Sequence, residues 1–315
     1  MRRAPYSVRV AAGIAALLPW ALAAQPVVAA QPRQAASDAG LTLYAVGDIA
    51  DCRRYPPETA PASLTARLVP RGSLVLGLGD MAYQYADAAT LAGCYEPTWG
   101  QHRATTLAIA GNHDYVGGSA RDFREYFAIQ PEPPAEFVAY SRWLTERWLL
   151  VALDSNVRGE ALQHQYEWLQ RTLTQQLRDD PNRSSRCLLV MWHAPVYSSG
   201  FHRGSGRHMQ PFWNMLDDFG ADLLLSGHEH FYEAFAPIGK DGRKSDDDGG
   251  IRQFVVGTGG APLHGFWRPP YASRARVLSF GVMRLTLDAG GYSWSFIDDK
   301  GRVRDQGTAA CRRAP

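Results

Sequence analysis

Five short apolar segments, each ending at a residue that can bind a metal ion, constrain the fold of this chain most strongly. They span residues 41–47, 73–79, 106–111, 187–192 and 223–227, and the polar residues directly after them are Asp48, Asp80, Asn112, His113, His193 and His228. Short apolar runs of this kind favour buried strands over helices. Because open α/β sheets place their chemistry at the carboxyl ends of strands, we expect these side chains to meet at one edge.

The spacing of the segments indicates how they are connected. Asp48 and Asp80 are 32 residues apart in sequence, as are Asp80 and Asn112, and this is about the length of one βαβ unit. Apolar periodicity predicts helices over residues 60–69, 119–127, 160–178 and 211–219. Beyond His230 the pattern changes to strands without helices between them, at 232–238, 251–257, 281–287 and 292–297, which we expect to complete a second, antiparallel sheet. The prediction is one two-sheet α/β domain over residues 40–315.

The N-terminal residues predict export. Arg2 and Arg3 precede an apolar run over residues 8–24, and small residues at 21–23 and 28–30 offer two cleavage points. This pattern is typical of a secretory signal peptide, here residues 1–30, and a membrane span is less favoured because Pro19 interrupts a short run. Residues 31–39 are polar and small, which predicts disorder. We therefore expect a periplasmic or secreted protein without a stable membrane span.

Without the predicted signal peptide, the chain has almost no net charge. Removal of Arg2, Arg3 and Arg9 lowers the 33 basic residues to 30 against 31 acidic ones, and no basic run interleaved with aromatics remains. This predicts no nucleic-acid partner.

The four cysteines of an exported chain favour disulfides over a zinc site, since no close cysteine pair occurs. Of three possible connectivities, we favour Cys52 with Cys94 and Cys187 with Cys311, because Cys52 and Cys94 both follow segment ends at short range.

The ordered motifs of the chain resemble those of a known superfamily. The motifs are Gly47-Asp48, Gly79-Asp80-Met81-Ala82-Tyr83, Gly111-Asn112-His113-Asp114, His193-Ala194-Pro195 and Gly227-His228-Glu229-His230. In this order they resemble the calcineurin-like metallophosphoesterases, and within them the purple acid phosphatases. The resemblance implies a four-layer sandwich, in which two mixed β-sheets pack face to face with helices outside.

One detail of the resemblance selects the branch. Most of the superfamily has a histidine ligand two residues after the first aspartate, where this chain has Ala50. The missing donor is matched by Tyr83, at the position where purple acid phosphatases use a tyrosinate on ferric iron. The absence of a histidine at position 50 and the presence of Tyr83 are both features of the purple acid phosphatases that the chain resembles.

The resemblance implies two metal ions and a ligand set for each. Fe(III) would bind Asp48, Asp80, Tyr83 and His230, and a divalent ion (Zn, Fe or Mn) would bind Asp80, Asn112, His193 and His228. Asp80 would bridge the two ions. Hard oxygen donors suit a trivalent ion, whereas a neutral amide and imidazoles suit a divalent one.

The resemblance also implies roles around the metals. His113 would contact the phosphate and help to protonate the leaving oxygen, with Asp114 orienting its ring, and Asn112 would contact the substrate. His202, in a glycine-bounded loop nine residues after His193, is either a second acid, a substrate contact or an exposed loop histidine.

Three functions remain open at this point. The leading one is an exported binuclear-metal phosphatase acting on small phosphomonoesters. The second is a phosphodiesterase or phospholipid hydrolase using the same metals, and the third is a non-catalytic protein that binds metal or phosphate. The oligomeric state does not follow from the sequence.

Overall fold

A computed structural model of the chain describes residues 40–129, 137–202, 205–245, 249–268 and 272–312. The predicted signal peptide and the segment 31–39 lie outside these ranges. Within them, none of the helices combines the length and the apolarity that a bilayer crossing requires.

Two large sheets and one small one contain the strands of the described residues. The first sheet has the order β15-β14-β13-β1-β3-β5, the second β12-β10-β11-β9-β8-β7-β6, and β2 pairs with β4. The bounds are β1 Leu41–Val46, β2 Ala50–Asp51, β3 Leu74–Gly77, β4 Ala82–Tyr83, β5 Thr106–Ala108, β6 Tyr140–Trp143, β7 Trp148–Ala152, β8 Cys187–Met191, β9 Leu223–Ser226, β10 Tyr232–Phe235, β11 Arg252–Val256, β12 Ser273–Val277, β13 Gly281–Leu287, β14 Gly291–Asp298 and β15 Val303–Ala310.

Most helices connect parallel strands of one sheet, and the helix Arg121–Tyr126 connects the two sheets. They are α1 Pro61–Ala66, α2 Ala88–Thr90, α3 Glu96–Trp99, α4 Arg121–Tyr126, α5 Gly159–Leu173 and α6 Gln210–Asp218. Short π-helical turns follow α2 and α5, at Leu91–Tyr95 and Thr174–Arg178. Short 3₁₀ turns occur at Gly100–Thr105, Asn112–Asp114, Arg183–Ser185 and Arg207–Met209. The four helices that the sequence predicts are thus present, with ends that differ by a few residues.

The core consists of three apolar layers. Leu43 and Leu76 of the first sheet pack with Leu189 and Leu225 of the second, which buries the inner faces of both sheets. A second layer packs α5 and α6 on the outer face of the second sheet, and a third packs α1 and α3 on the first sheet. This arrangement of helices, sheet, sheet and helices confirms the predicted α/β fold with two mixed sheets packed face to face.

Strand β7 illustrates why the apolar runs read as buried strands. Leu149 and Val151 point into the helix layer, whereas Leu150 and Ala152 point between the sheets. Since successive side chains of a strand alternate between its faces, a strand covered on both sides must be apolar throughout.

The prediction for the strands beyond His230 was wrong in two respects. Of the four predicted strands, β13 and β14 extend the first sheet through antiparallel pairing of β13 with β1, whereas β10 and β11 join the second. Strand β11 is also parallel to β9. Five strands had no prediction, namely β6, β12, β15 and the two-residue strands β2 and β4. Strand β15 lies at a sheet edge with an exposed, polar face, so backbone pairing with β14 holds it without an apolar pattern.

Both predicted disulfides are present. Cys52 bonds Cys94 across 42 residues, and Cys187 at the start of β8 bonds Cys311 across 124 residues. The second bond ties the C-terminal segment to a central strand. By the chain-entropy estimate, closing a loop of this length stabilises the fold by about 4 to 5 kcal/mol.

Candidate metal centre

The first half of the candidate site forms around the phenol of Tyr83. Its hydroxyl lies 3.0 Å from Asp48 Oδ1, 3.1 Å from Asp80 Oδ2 and 3.2 Å from His230 Nε2. His230 Nε2 is also 3.2 Å from Asp48 Oδ1. Asp48 and Asp80 are almost completely buried. Four predicted ligands from three different segments therefore meet within hydrogen-bond distance.

The second half forms around His193. Its Nε2 atom lies 3.2 Å from Asn112 Oδ1, 3.2 Å from His228 Nδ1 and 3.3 Å from Asp80 Oδ2. Ligand atoms of Asp80, His193 and His228 all fall within 4.8 Å of one another. Asp80 contacts both halves, so the structure brings all seven predicted donors to one pocket.

Backbone contacts between the loops fix the two carboxylates. The Asp48 N–H donates to Gly79 O (3.0 Å), and the His228 N–H donates to Asp48 Oδ2 (2.8 Å). Asp48, Asp80 and His228 adopt positive φ values of 57°, 51° and 71°. This left-handed conformation is unfavourable for residues other than glycine and persists where surrounding contacts enforce it, typically at functional sites.

Glycine at position 111 allows the backbone to approach Asp80. A Cβ atom at Gly111 would lie 2.1 Å from Asp80 Oδ1 and 2.3 Å from Asp80 N. A methyl group there would displace the Asp80 carboxylate, because the contacts are with the Asp80 side chain and backbone rather than with a flexible chain end. The φ of Gly111 is −93°, so the requirement is steric and not conformational.

We predict that Gly111→Ala lowers kcat/KM for phosphate-ester hydrolysis about 100-fold, the cost of roughly 1 Å of misplacement at a reacting centre. Gly93→Ala is the matched control, because a Cβ there meets nothing within 4 Å. Steady-state kinetics on both variants checks the prediction. Equal activity of the two variants would show that the position of Asp80 does not limit catalysis.

The remaining nitrogens of two histidines are held by backbone carbonyls. His193 Nδ1–H donates to Leu78 O (2.7 Å), and His230 Nδ1–H donates to Pro262 O (2.8 Å). The Nε2 atom of each ring therefore faces a carboxylate, Asp80 for His193 and Asp48 for His230. This arrangement is the usual one for histidine ligands of metals.

The pKa values of the buried carboxylates and histidines show that the pocket favours a positive charge. Burial would lower the pKa of His193, but the Asp80 carboxylate outweighs burial and raises it to about 10. Burial would raise the pKa of Asp48, but the hydrogen bond and charge of His230 hold it below its usual value. Burial and the charge of His193 lower the pKa of His228 to about 3, so that imidazole is neutral. The buried Asp48 and Asp80 carboxylates therefore favour positive charge beside them, which metal cations would supply.

His113 faces the pocket without joining the donor cluster. Its backbone N–H donates to Asp80 Oδ1 (2.7 Å), and its ring Nδ1 lies 2.6 Å from Gln84 O. The other ring nitrogen is 4.0 Å from Asp80 Oδ2, and the side chain is 30% exposed. The free Nε2 atom is therefore accessible to a bound molecule.

The expected role of Asp114 needs correction. We expected it to orient the His113 ring, but Gln84 O occupies that position. The buried Asp114 carboxylate instead accepts the N–H groups of Gly111, Asp80 and Met81 at 2.7, 2.7 and 3.0 Å. Burial and the charge of Asp80 raise the Asp114 pKa to about 8. Asp114 thus joins two loops through their backbones, which a motif alone does not reveal.

Two residues beside the donor cluster were missed by sequence reasoning. Glu229 is fully buried, and neither of its oxygens accepts a hydrogen bond from the described residues. Its Oε2 atom lies 3.6 Å from His202 Nδ1 and 3.9 Å from His264 Nδ1. The His264 ring stacks on His230, with centroids 4.5 Å apart. The sequence feature that could have identified Glu229 is its position between the predicted ligands His228 and His230.

The comparison with known families agrees with this geometry. The profile of the family described as calcineurin-like phosphoesterase matches residues 40–232. Purple acid phosphatase 22 of Arabidopsis thaliana is 31% identical over 243 residues, which cover 69% of this chain and 52% of the relative. The chain spans about half the length of that relative.

Solved structures show the same fold at low sequence identity. A purple acid phosphatase from yellow lupin (Lupinus luteus) seeds superposes with a TM-score of 0.65 at 19% identity, covering 87% of this chain and 54% of its own. GAP50, the anchor in the inner membrane complex of Plasmodium, gives a TM-score of 0.66 at 16% identity and coverages of 87% and 90%. The chain therefore belongs to the calcineurin-like phosphoesterase family, within its purple acid phosphatase-like branch.

Proposed function

We propose that this protein is an exported phosphatase that hydrolyses small phosphomonoesters at a centre of two metal ions. The observation that carries the proposal is the position of Asp80, which lies within 3.3 Å of donor atoms in both halves of the site. A single ion would need only part of this set of seven donors.

Each half of the site suits a different ion. Fe(III) is proposed for the half with Asp48, Tyr83 and His230, because carboxylate and phenolate oxygens are hard donors. Zn, Fe(II) or Mn is proposed for the half with Asn112, His193 and His228. When bound, the two cations would supply a water of lowered pKa and offset the negative charge of the phosphoryl group.

The protein's own residues would hold and protonate the substrate. Because His113 Nδ1–H donates to Gln84 O, the ring would carry a proton at Nε2 as the doubly protonated imidazolium, and it would become neutral on giving that proton to the leaving oxygen of an ester. Asn112, a member of the donor cluster with its Oδ1 3.2 Å from His193 Nε2, would contact a phosphate oxygen through its side-chain N–H group. His202, 41% exposed and with its ring 4.9 Å from the His228 ring, reaches the same side of the pocket.

Export is proposed from two independent features. The N-terminal sequence has the pattern of a signal peptide, and two disulfides close within the described residues. Disulfides of this kind persist in oxidising compartments. The proposed location is the periplasm or the exterior of the cell.

The substrate class is tested by comparing 4-nitrophenyl phosphate with bis(4-nitrophenyl) phosphate, which share one leaving group. We expect higher kcat/KM for the monoester, because a dianionic phosphoryl group gains more from a highly charged cationic centre than a monoanionic diester does. A preference for the diester would contradict the proposal in favour of a phosphodiesterase. Hydrolysis of neither ester by metal-loaded protein would favour a non-catalytic binding protein.

A further inference from the structure

Two large aromatic side chains stand exposed beside the candidate site. Phe201 is 58% exposed and Trp267 is 69% exposed, and their ring centroids are 5.3 Å apart. Single exposed apolar residues are common on soluble proteins, but adjacent ones mark binding surfaces more often. The exposure of Phe201 and Trp267 side by side therefore indicates a binding surface.

The pair is continuous with the metal centre through a row of rings. The Phe201 ring lies 5.5 Å from the His202 ring, and the His202 ring lies 4.9 Å from the ring of His228. His228 in turn contacts His193 through facing ring nitrogens. A molecule whose phosphate contacts His202 therefore has Phe201 and Trp267 next to it on the outer side.

Buried hydrogen bonds hold the two aromatic loops together. Ser199 O accepts the N–H groups of Trp267 (2.9 Å) and Arg268 (3.1 Å). The Ser199 N–H donates to Glu233 Oε2 (3.0 Å), and the hydroxyls of Ser199 and Ser273 donate to Glu233 Oε1. Glu233 is fully buried. The backbones that carry both rings are thus fixed before any ligand binds, which lowers the entropic cost of binding.

We propose that Phe201 and Trp267 form a subsite for a planar aromatic ring in the leaving group of the substrate. The substrate class would be phosphomonoesters that carry a nucleobase or an aryl ring a few bonds from the phosphate. Apolar ring faces offer stacking to such groups, whereas a sugar or short alkyl phosphate leaves them in water. This inference rests on the proposed phosphatase function and adds the leaving-group preference to it.

The test uses two substrate pairs that share a primary alkoxide leaving group and differ in the ring. The pairs are adenosine 5′-monophosphate with ribose 5-phosphate, and 2-phenylethyl phosphate with propyl phosphate, so nucleobase and aryl recognition are separated. We expect Trp267→Ala to lower the kcat/KM ratio of ring to non-ring substrate about 5- to 150-fold, which corresponds to 1 to 3 kcal/mol per stacked ring. Phe201→Ala should lower it in the same direction, and Trp267→Phe should retain most of it.

Leu64→Ala is the matched control, since Leu64 is also an exposed apolar side chain but lies on α1. Its ratio should equal that of the wild type. An unchanged ratio in Trp267→Ala, with propyl phosphate still hydrolysed, would overturn the aromatic subsite and leave the phosphatase function intact. Failure of the wild type to hydrolyse all four esters would instead overturn the proposed function, and the subsite with it.

Discussion

Hydrolysis of phosphomonoesters should fall at least about 1,000-fold in kcat/KM when Asp80 is replaced by asparagine, which is the loss of about 4 kcal/mol of transition-state stabilisation. The replacement keeps the shape of the side chain but removes its charge. Asp80 Oδ2 lies 3.1 Å from the Tyr83 hydroxyl and 3.3 Å from His193 Nε2, so it is the one carboxylate shared by both halves of the site. Metal content per protein should fall together with activity.

Asp222→Asn is the matched control for this variant. Asp222 is also buried, and it accepts the N–H of Leu188 (2.7 Å) near the start of β8, whereas the metal centre lies beyond the end of that strand. Burial raises the Asp222 pKa to about 7, so a neutral amide is a close substitute at this position. We expect near-normal activity and metal content in this variant. Equal activity of the Asp80→Asn and Asp222→Asn proteins would show that Asp80 does not bridge two metal ions.

His113→Ala should lower kcat for alkyl phosphates about 100- to 10,000-fold, the usual contribution of a positioned general acid. Metal content should stay at the wild-type value, because His113 is not one of the seven donors and its Nε2 lies 4.0 Å from Asp80 Oδ2, beyond hydrogen-bond distance. His164→Ala, on α5, should leave both quantities unchanged. Kinetics and metal analysis on the same preparations check the prediction.

The leaving group distinguishes proton donation from a structural role of His113. A nitrophenolate departs without protonation, whereas an alkoxide needs a proton. The defect of His113→Ala should therefore be much smaller for 4-nitrophenyl phosphate than for propyl phosphate. Equal defects on the two esters would show that His113 positions the substrate or the loop and does not donate a proton.

The sequence predicted the convergence of the seven donors because each lies at or just beyond the end of an apolar strand. Strands β1, β3 and β5 of the first sheet and β8 and β9 of the second all end beside the site, and strand ends are set by local sequence pattern. The partition of the later strands between the sheets was not predictable in this way. Pairing of β13 with β1 joins residues about 240 positions apart, and such pairing depends on which edge is free once the helices have packed.

Contacts around the donors were harder to predict than the donors themselves. His264 is 34 residues beyond His230 in sequence, yet its ring stacks on His230 because the loop after β11 returns over the site. Asp114 has a motif position but acts on backbone N–H groups. Such roles follow from loop paths, and loop paths have no periodicity in the sequence.

Fold similarity by itself does not assign an activity. GAP50, with a TM-score of 0.66, is described as an anchor, whereas the yellow lupin protein with nearly the same score is a phosphatase. The same sandwich therefore supports different functions, and the function must be argued from the site. In this chain, the seven donors and His113 beside them support a phosphatase function more than the fold does.

Anomalous diffraction from crystals of the metal-loaded protein, collected at the iron edge and at the edge of the second metal, would locate both ions. We expect two peaks, one beside Tyr83 and one beside His193, with Asp80 between them and the iron signal at Tyr83. A single peak, or peaks away from these side chains, would contradict this expectation.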